Sequence, residues 1–89
     1  MFSGIIKYTG KVHQIFKKNE NCSIVVFSNA KFAKTEIGSS ISCSGVCLTL
    51  VSFKNKYSKF YISSETMRRT IFKSAFKGQI INLEKSLKF

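Results

Sequence analysis

The chain has 89 residues, 44% of them hydrophobic, with nine Phe and three Tyr. Surface scaling gives about 5,300 Å² folded against about 14,600 Å² unfolded, so about 64% of the surface can be buried. That supports one modest core and a single domain over residues 1–89. It excludes a doubly wound nucleotide fold and an eight-fold α/β barrel, and the composition is too apolar for a disordered tail.

Fifteen Lys and Arg against four Asp and Glu give a formal charge of +11. A basic balance points to nucleic acid or an anionic surface as a partner. Yet Arg68 and Arg69 are the only arginines, and nucleic-acid sites favour Arg for bidentate contacts and stacking. The enriched residues Ile, Phe, Lys and Asn have AT-rich codons, so a biased genome explains much of the charge. Nucleic acid is the less expected partner.

The longest apolar run, Ile24-Val25-Val26-Phe27, falls short of the roughly 7–15 residues of a signal peptide and the ~20 of a membrane helix. A soluble cytoplasmic protein with no membrane partner is expected. Cys22, Cys43 and Cys47 are odd in number and lack Cys-x-x-Cys spacing or a paired His, so neither a metal site nor a disulfide framework is expected.

Short β-branched and aromatic runs recur between Gly, Ser, Asn and Lys clusters, the pattern of an all-β barrel or sandwich. A first strand spans about Ile5 to Phe16, with Ile6, Tyr8, Val12 and Phe16 in one phase and Lys7, Lys11 and His13 in the other. Gly10 predicts a bulge or bend. After the polar turn Lys17–Asn21, Cys22 to Ser28 forms a second strand whose continuous apolar stretch predicts burial on both faces. Ser28-Asn29-Ala30 starts a short helical turn through Phe32. Gly38-Ser39-Ser40 leads into a third strand, with Ile41 and Cys43 in phase, and Ser44-Gly45 is a turn. Val46 to Phe53 is the fourth strand, with Val46, Leu48 and Leu50 opposite Cys47, Thr49 and Val51. Lys54-Asn55-Lys56 is a hairpin loop, and Tyr57 to Ile62 a fifth strand with Phe60 and Ile62 inward. Ser63 or Ser64 caps a short helix with Glu65 in its first turn, and Met67 and Ile71 face the core. Lys77-Gly78 is the last turn, and Gln79 to Glu84 a sixth strand with Ile81 and Leu83 inward. The fold class is therefore all-β: a six-stranded antiparallel barrel with a short helix between strands five and six. A sandwich usually needs about 100 residues, and closure removes exposed edges.

The polar inventory is thin. The acids are Glu20, Glu36, Glu65 and Glu84, and His13 is the only histidine. No Ser-His-acid set, phosphate-cradling Gly loop or metal cluster can be assembled. Ser40, Ser42 and Ser44 share one face of the third strand, and Cys47 and Thr49 one face of the fourth. Paired, these strands gather hydroxyls and a thiol, either as a functional patch or as ordinary outward positions of a barrel. Tyr57, Lys59 and Tyr61 make a stripe on the fifth strand that fits a solvated hairpin or a single-stranded nucleic-acid surface.

Four segments resemble riboflavin synthase (alpha chain). Met1-Phe2-Ser3-Gly4-Ile5-Ile6 resembles its Met-Phe-Thr-Gly-Ile start, and Gly45-Val46-Cys47-Leu48-Thr49 its Asn-Gly-Val-Cys-Leu-Thr segment. Ser64-Glu65-Thr66-Met67-Arg68-Arg69-Thr70 is similar to Pro-Glu-Thr-Leu-Arg-Arg-Thr. Gly78-Gln79-Ile80-Ile81-Asn82-Leu83-Glu84-Lys85 is similar to Gly-Asp-x-Val-Asn-Leu-Glu-Arg. The motifs fall in order over almost the whole chain.

The resemblance implies a six-stranded Greek-key barrel. It implies a transferase activity in riboflavin biosynthesis: dismutation of two molecules of 6,7-dimethyl-8-ribityllumazine to riboflavin and 5-amino-6-ribitylamino-uracil, without cofactor or metal. It implies catalytic roles for Phe2, Ser40 and Cys47, and substrate contacts from Gly4, Ile6, Cys47, Thr49, Tyr61, Ile62, Ser63 and Thr66. The family chain carries two barrels and a trimerising C-terminal helix, with the site between barrels of neighbouring subunits. This chain then corresponds to the N-terminal barrel, and a homo-oligomer is expected: a dimer as an isolated domain, a trimer for a full-length chain. Ser3 replaces the usual Thr, and Ser64 the usual Pro. The competing readings are a lumazine- or flavin-binding module without catalysis, and a basic barrel for single-stranded nucleic acid.

Overall fold

The computed structural model describes residues 3–18 and 21–88. Six strands run β1 (Ser3–Lys18), β2 (Asn21–Phe27), β3 (Ser40–Cys43), β4 (Val46–Lys54), β5 (Tyr57–Ile62) and β6 (Ile80–Lys88). They close into a barrel in the order β1-β2-β5-β4-β3-β6, every neighbour antiparallel. The helix α1 (Ser64–Arg69) and a 3₁₀ turn (Ile71–Ser74) join β5 to β6.

Alternation places the core. Ile24 and Val26 of β2, Ile41 and Cys43 of β3, Leu48 and Leu50 of β4, Phe60 and Ile62 of β5, and Ile81 and Leu83 of β6 are all buried. Burying each large aliphatic or aromatic side chain contributes about 1.5–3 kcal/mol. Two tight hairpins fix the registers: Ser44 and Gly45 both take positive φ, as does Asn55, the geometry that matches strand twist in short turns.

Five expectations need correction. Phe16 is not in phase with Val12. The β1–β2 register slips between Val12 and Gln14, so His13 is an extra, bulged residue. The phase flips there; Ile15 packs on the core and Phe16 lies exposed. Gly10, expected to be the site of a bulge or bend, serves close packing instead: a Cβ there would stand 2.6 Å from Val26 Cγ1 and 3.4 Å from the Phe27 carbonyl oxygen. Strand β2 is buried on one face only, since Phe27 is exposed and Val25 half-buried. Residues 28–33 form no helix. The short 3₁₀ turn comes later, at Lys34–Glu36, and the segment is tied down by Lys85, whose Nζ donates to the Lys31 carbonyl (2.7 Å) and Glu36 Oε1 (2.9 Å) and sits 4.9 Å from the Phe32 ring centroid.

The fifth correction concerns the helical connection. Met67 packs against the core, but Ile71 is exposed and Phe72 is fully buried. Thr70 is extended (φ −130°, ψ 179°), so α1 stops there and the 3₁₀ turn restarts one residue out of helical phase.

Gly10→Ala is expected to destabilise the barrel by about 1–3 kcal/mol, the cost of overpacking a filled site. Val26 is fully buried and has no room to retreat. Urea denaturation checks this: a midpoint equal to that of the parent would contradict the packing role.

Candidate functional site

The third and fourth strands do pair. Ser42 lies opposite Cys47, and Ser40 opposite Thr49. Thr49 is in turn opposite Tyr61 on β5, and Tyr61 opposite Ser23 on β2. All of these positions alternate with buried ones, so they form one outward polar face. Ser40, Cys47 and Tyr61 are exposed, and Ser42 and Thr49 half-buried. Their hydroxyls and thiol cannot be core fillers, because Ile41, Cys43, Leu48 and Phe60 occupy the inward phase of the same strands.

Ser63 and Thr66 continue this face beyond the end of β5. Ser63 is the N-cap of α1. Its Oγ accepts the Thr66 N–H (3.1 Å) and donates to Thr66 Oγ1 (2.9 Å). The Thr66 hydroxyl proton is thereby left for an acceptor outside the pair. Thr70 extends the chain: its Oγ1 donates to the Thr66 carbonyl (2.7 Å) and accepts the Phe72 N–H (3.2 Å). Thr66 is thus fixed from both sides, with buried Phe72 as the anchor.

Other expected site residues sit differently. Phe2 lies outside the described residues. Gly4 and Ile6 are on β1 opposite Leu87 and Lys85. Going round the barrel, β6 and β3 separate them from Cys47. Among the described residues a Cβ on Gly4 would meet nothing within 4 Å. The Ile62 side chain is fully buried in the core; only its backbone can face a ligand. Ser44, grouped with Ser40 and Ser42 by alternation, uses its hydroxyl to accept the Asn82 N–H at 3.1 Å and locks the β3–β4 turn onto β6.

Sequence reasoning missed Asn21 and Thr70. The Tyr61 hydroxyl donates to Asn21 Oδ1 at 3.1 Å, which orients the ring across β2. Their link depends on strand register, which no local pattern reveals. Thr70 was visible inside the Thr66-containing motif, but its bridging role depends on the break in the helix.

The thiols separate cleanly. Burial pushes the Cys43 thiol up to about 12, with the neighbouring Cys47 adding to the rise. Burial also raises Cys22, partly opposed by Lys17. Both stay neutral and inert at ordinary pH, whereas Cys47 is exposed. Titration with a disulfide reagent near pH 8 is expected to label Cys47 rapidly and to reach Cys22 and Cys43 only on unfolding. Rapid labelling of three thiols in the folded protein would contradict the barrel closure. Among the described residues no group of three His, Cys, Asp or Glu can hold a metal, and no helix is long and apolar enough to cross a membrane.

Residues 3–86 match the lumazine binding domain family, and the chain belongs to it. Among individual proteins, it is 41% identical over 88 residues to a riboflavin synthase of Photobacterium leiognathi, covering 98% of this chain and 40% of that protein. It is 40% identical over 93 residues to one of Brucella abortus, covering 99% and 46%, and 38% identical over 90 residues to one of Buchnera aphidicola, covering 100% and 42%. The chain spans less than half the length of these curated relatives.

Proposed function

We propose that this barrel holds 6,7-dimethyl-8-ribityllumazine on the outward face of β3, β4 and β5, as one half of a riboflavin synthase site. The observation that carries the reading is that Cys47, Thr49 and Thr66, which lie in the family motifs, share one continuous face with Ser40 and Ser63. The free Thr66 hydroxyl proton suits a carbonyl of the pyrimidine edge. Thr49 and the backbone of Tyr61–Ser63 flank the ring, and Ser40 and the Cys47 thiol stand where proton transfer to or from the ring carbons is needed.

The chemistry asks little of the protein. The lumazine C7 methyl is acidic because its anion delocalises into the ring. Dismutation then depends on holding two rings face to face, and such positioning supplies roughly 7–11 kcal/mol of the barrier. Donors at the pyrimidine edge stabilise the developing charge. One barrel holds one ring, so the second comes from a partner barrel: a second copy of this chain, or a further domain of the kind that the longer relatives have room for.

A fluorescence titration with the lumazine, followed on the same sample for riboflavin, tests the proposal. Binding with riboflavin formation supports a catalytic pair. Binding without it supports a ligand-holding half-site whose partner barrel supplies the remaining groups. Absence of binding would overturn the proposal.

A further inference from the structure

A second face of the barrel gathers chemistry that the lumazine reading does not use. Lys11 lies opposite Ile80 on β6 and Phe27 on β2; Phe27 lies opposite Tyr57 on β5, and Tyr57 opposite Lys54 on β4. The ladder registers thus set Ile80, Lys11, Phe27, Tyr57 and Lys54 side by side in one outward row crossing five strands. Phe27 and Tyr57 are 43% and 39% exposed and touch as tilted rings with centroids 5.2 Å apart. The bulged His13 adds a third ring, 4.9 Å from Tyr57. Three shallow grooves follow the row end to end. One runs between Lys11 and Ile80. One of about 300 Å³ lies over Phe27 and Tyr57, with Lys77 on its rim. One lies beside Lys54 and Lys59.

The charge on this row has one sign. Among the described residues the carboxylates lie elsewhere: Glu84 is opposite Lys7 and Ser42, Glu36 holds Lys85, and Glu65 is in α1. An apolar partner alone would not call for Lys11, Lys54 and Lys77 beside two exposed rings. A ligand with planar groups spaced along a polyanionic backbone does: rings stack on bases, and ammonium groups meet phosphates without reading sequence. Tyr57 stands four residues along β5 from Tyr61, about 13 Å away, so the row is separate from the lumazine face.

We propose that the Lys11–Phe27–Tyr57–Lys54 row binds single-stranded nucleic acid without sequence preference. Four interstrand spacings make the row about 19 Å long, a footprint at the short end of the roughly 4–16 nucleotides bound by comparable barrels.

The test is fluorescence anisotropy of the 89-residue chain with labelled oligo(dT) about twelve nucleotides long, at about 50 and about 200 mM salt. Three double variants are compared: Phe27→Leu with Tyr57→Leu, Lys11→Gln with Lys54→Gln, and Lys34→Gln with Lys73→Gln as a charge control away from the row. The ring variant keeps apolar bulk, and circular dichroism confirms its fold. It is expected to lose about tenfold or more in affinity with the salt slope unchanged. The Lys11/Lys54 variant is expected to flatten the salt slope by about 1.4, and the control to leave binding near that of the parent. Equal losses in the control and row variants would reduce the effect to net charge and overturn the proposal. So would anionic vesicles binding as well as oligo(dT) with no dependence on the rings. A dimer in sedimentation that dissociates only in the ring variant would show the row to be a self-interface, and would overturn it too.

Discussion

Phe72→Ala is expected to cost about 3–5 kcal/mol, whereas Ile71→Ala, one residue away, is expected to cost under about 1 kcal/mol. Phe72 is fully buried, and Ile71 is 50% exposed. In a domain of this size the first change lowers the melting temperature by more than about 12 °C. The effect reaches the candidate site, because Phe72 anchors the chain of hydrogen bonds through Thr70 to Thr66. Thermal melts of the two variants settle the phase of the connection. A larger loss at Ile71 would mean that the helix continues unbroken through Thr70.

Gly4→Val is expected to separate folding from binding. Among the described residues nothing lies within 4 Å of a Cβ at Gly4, in contrast to the wall that Val26 presents to Gly10. A β-branched residue also suits a strand. Stability therefore stays level or rises slightly. A glycine within a strand often marks a close approach by a ligand or another backbone. If the lumazine ring or its partner barrel takes that space, affinity falls about tenfold or more, equivalent to about 1.4 kcal/mol. Titration of Gly4→Val with the lumazine, beside its melting curve, checks both halves. Unchanged affinity would remove Gly4 from the site.

Much of the barrel is legible in the sequence because alternation is a local signal. Ile41/Cys43, Leu48/Leu50, Phe60/Ile62 and Ile81/Leu83 alternate without interruption and are all buried. The turns at Ser44-Gly45 and Asn55 carry their own chemistry. The misplacements of Phe16 and Ile71 share one cause: an irregularity that shifts the phase by one residue. At His13 it is a bulge; at Thr70 it is an extended residue that ends α1. Neither has a strong local signature, and Gly10 drew attention to the wrong position because a glycine serves bulges and close packing alike. The candidate site was legible through its motifs, and the pairing of Ser42 with Cys47 follows from the hairpin turn between them. The cross-barrel relations were not legible. Tyr61 reaching Asn21, and Phe27 beside Tyr57, depend on the β2–β5 register, which only closure of the barrel fixes.

The most direct test of the central claim is to map lumazine binding by amide chemical shifts on ¹⁵N-labelled protein. Shifts concentrated at Ser40–Thr49, Tyr61–Thr66 and Gly4 are expected, with Lys11, Phe27 and Tyr57 unmoved. Shifts centred on Lys11, Phe27 and Tyr57, or none at saturating lumazine, would contradict it.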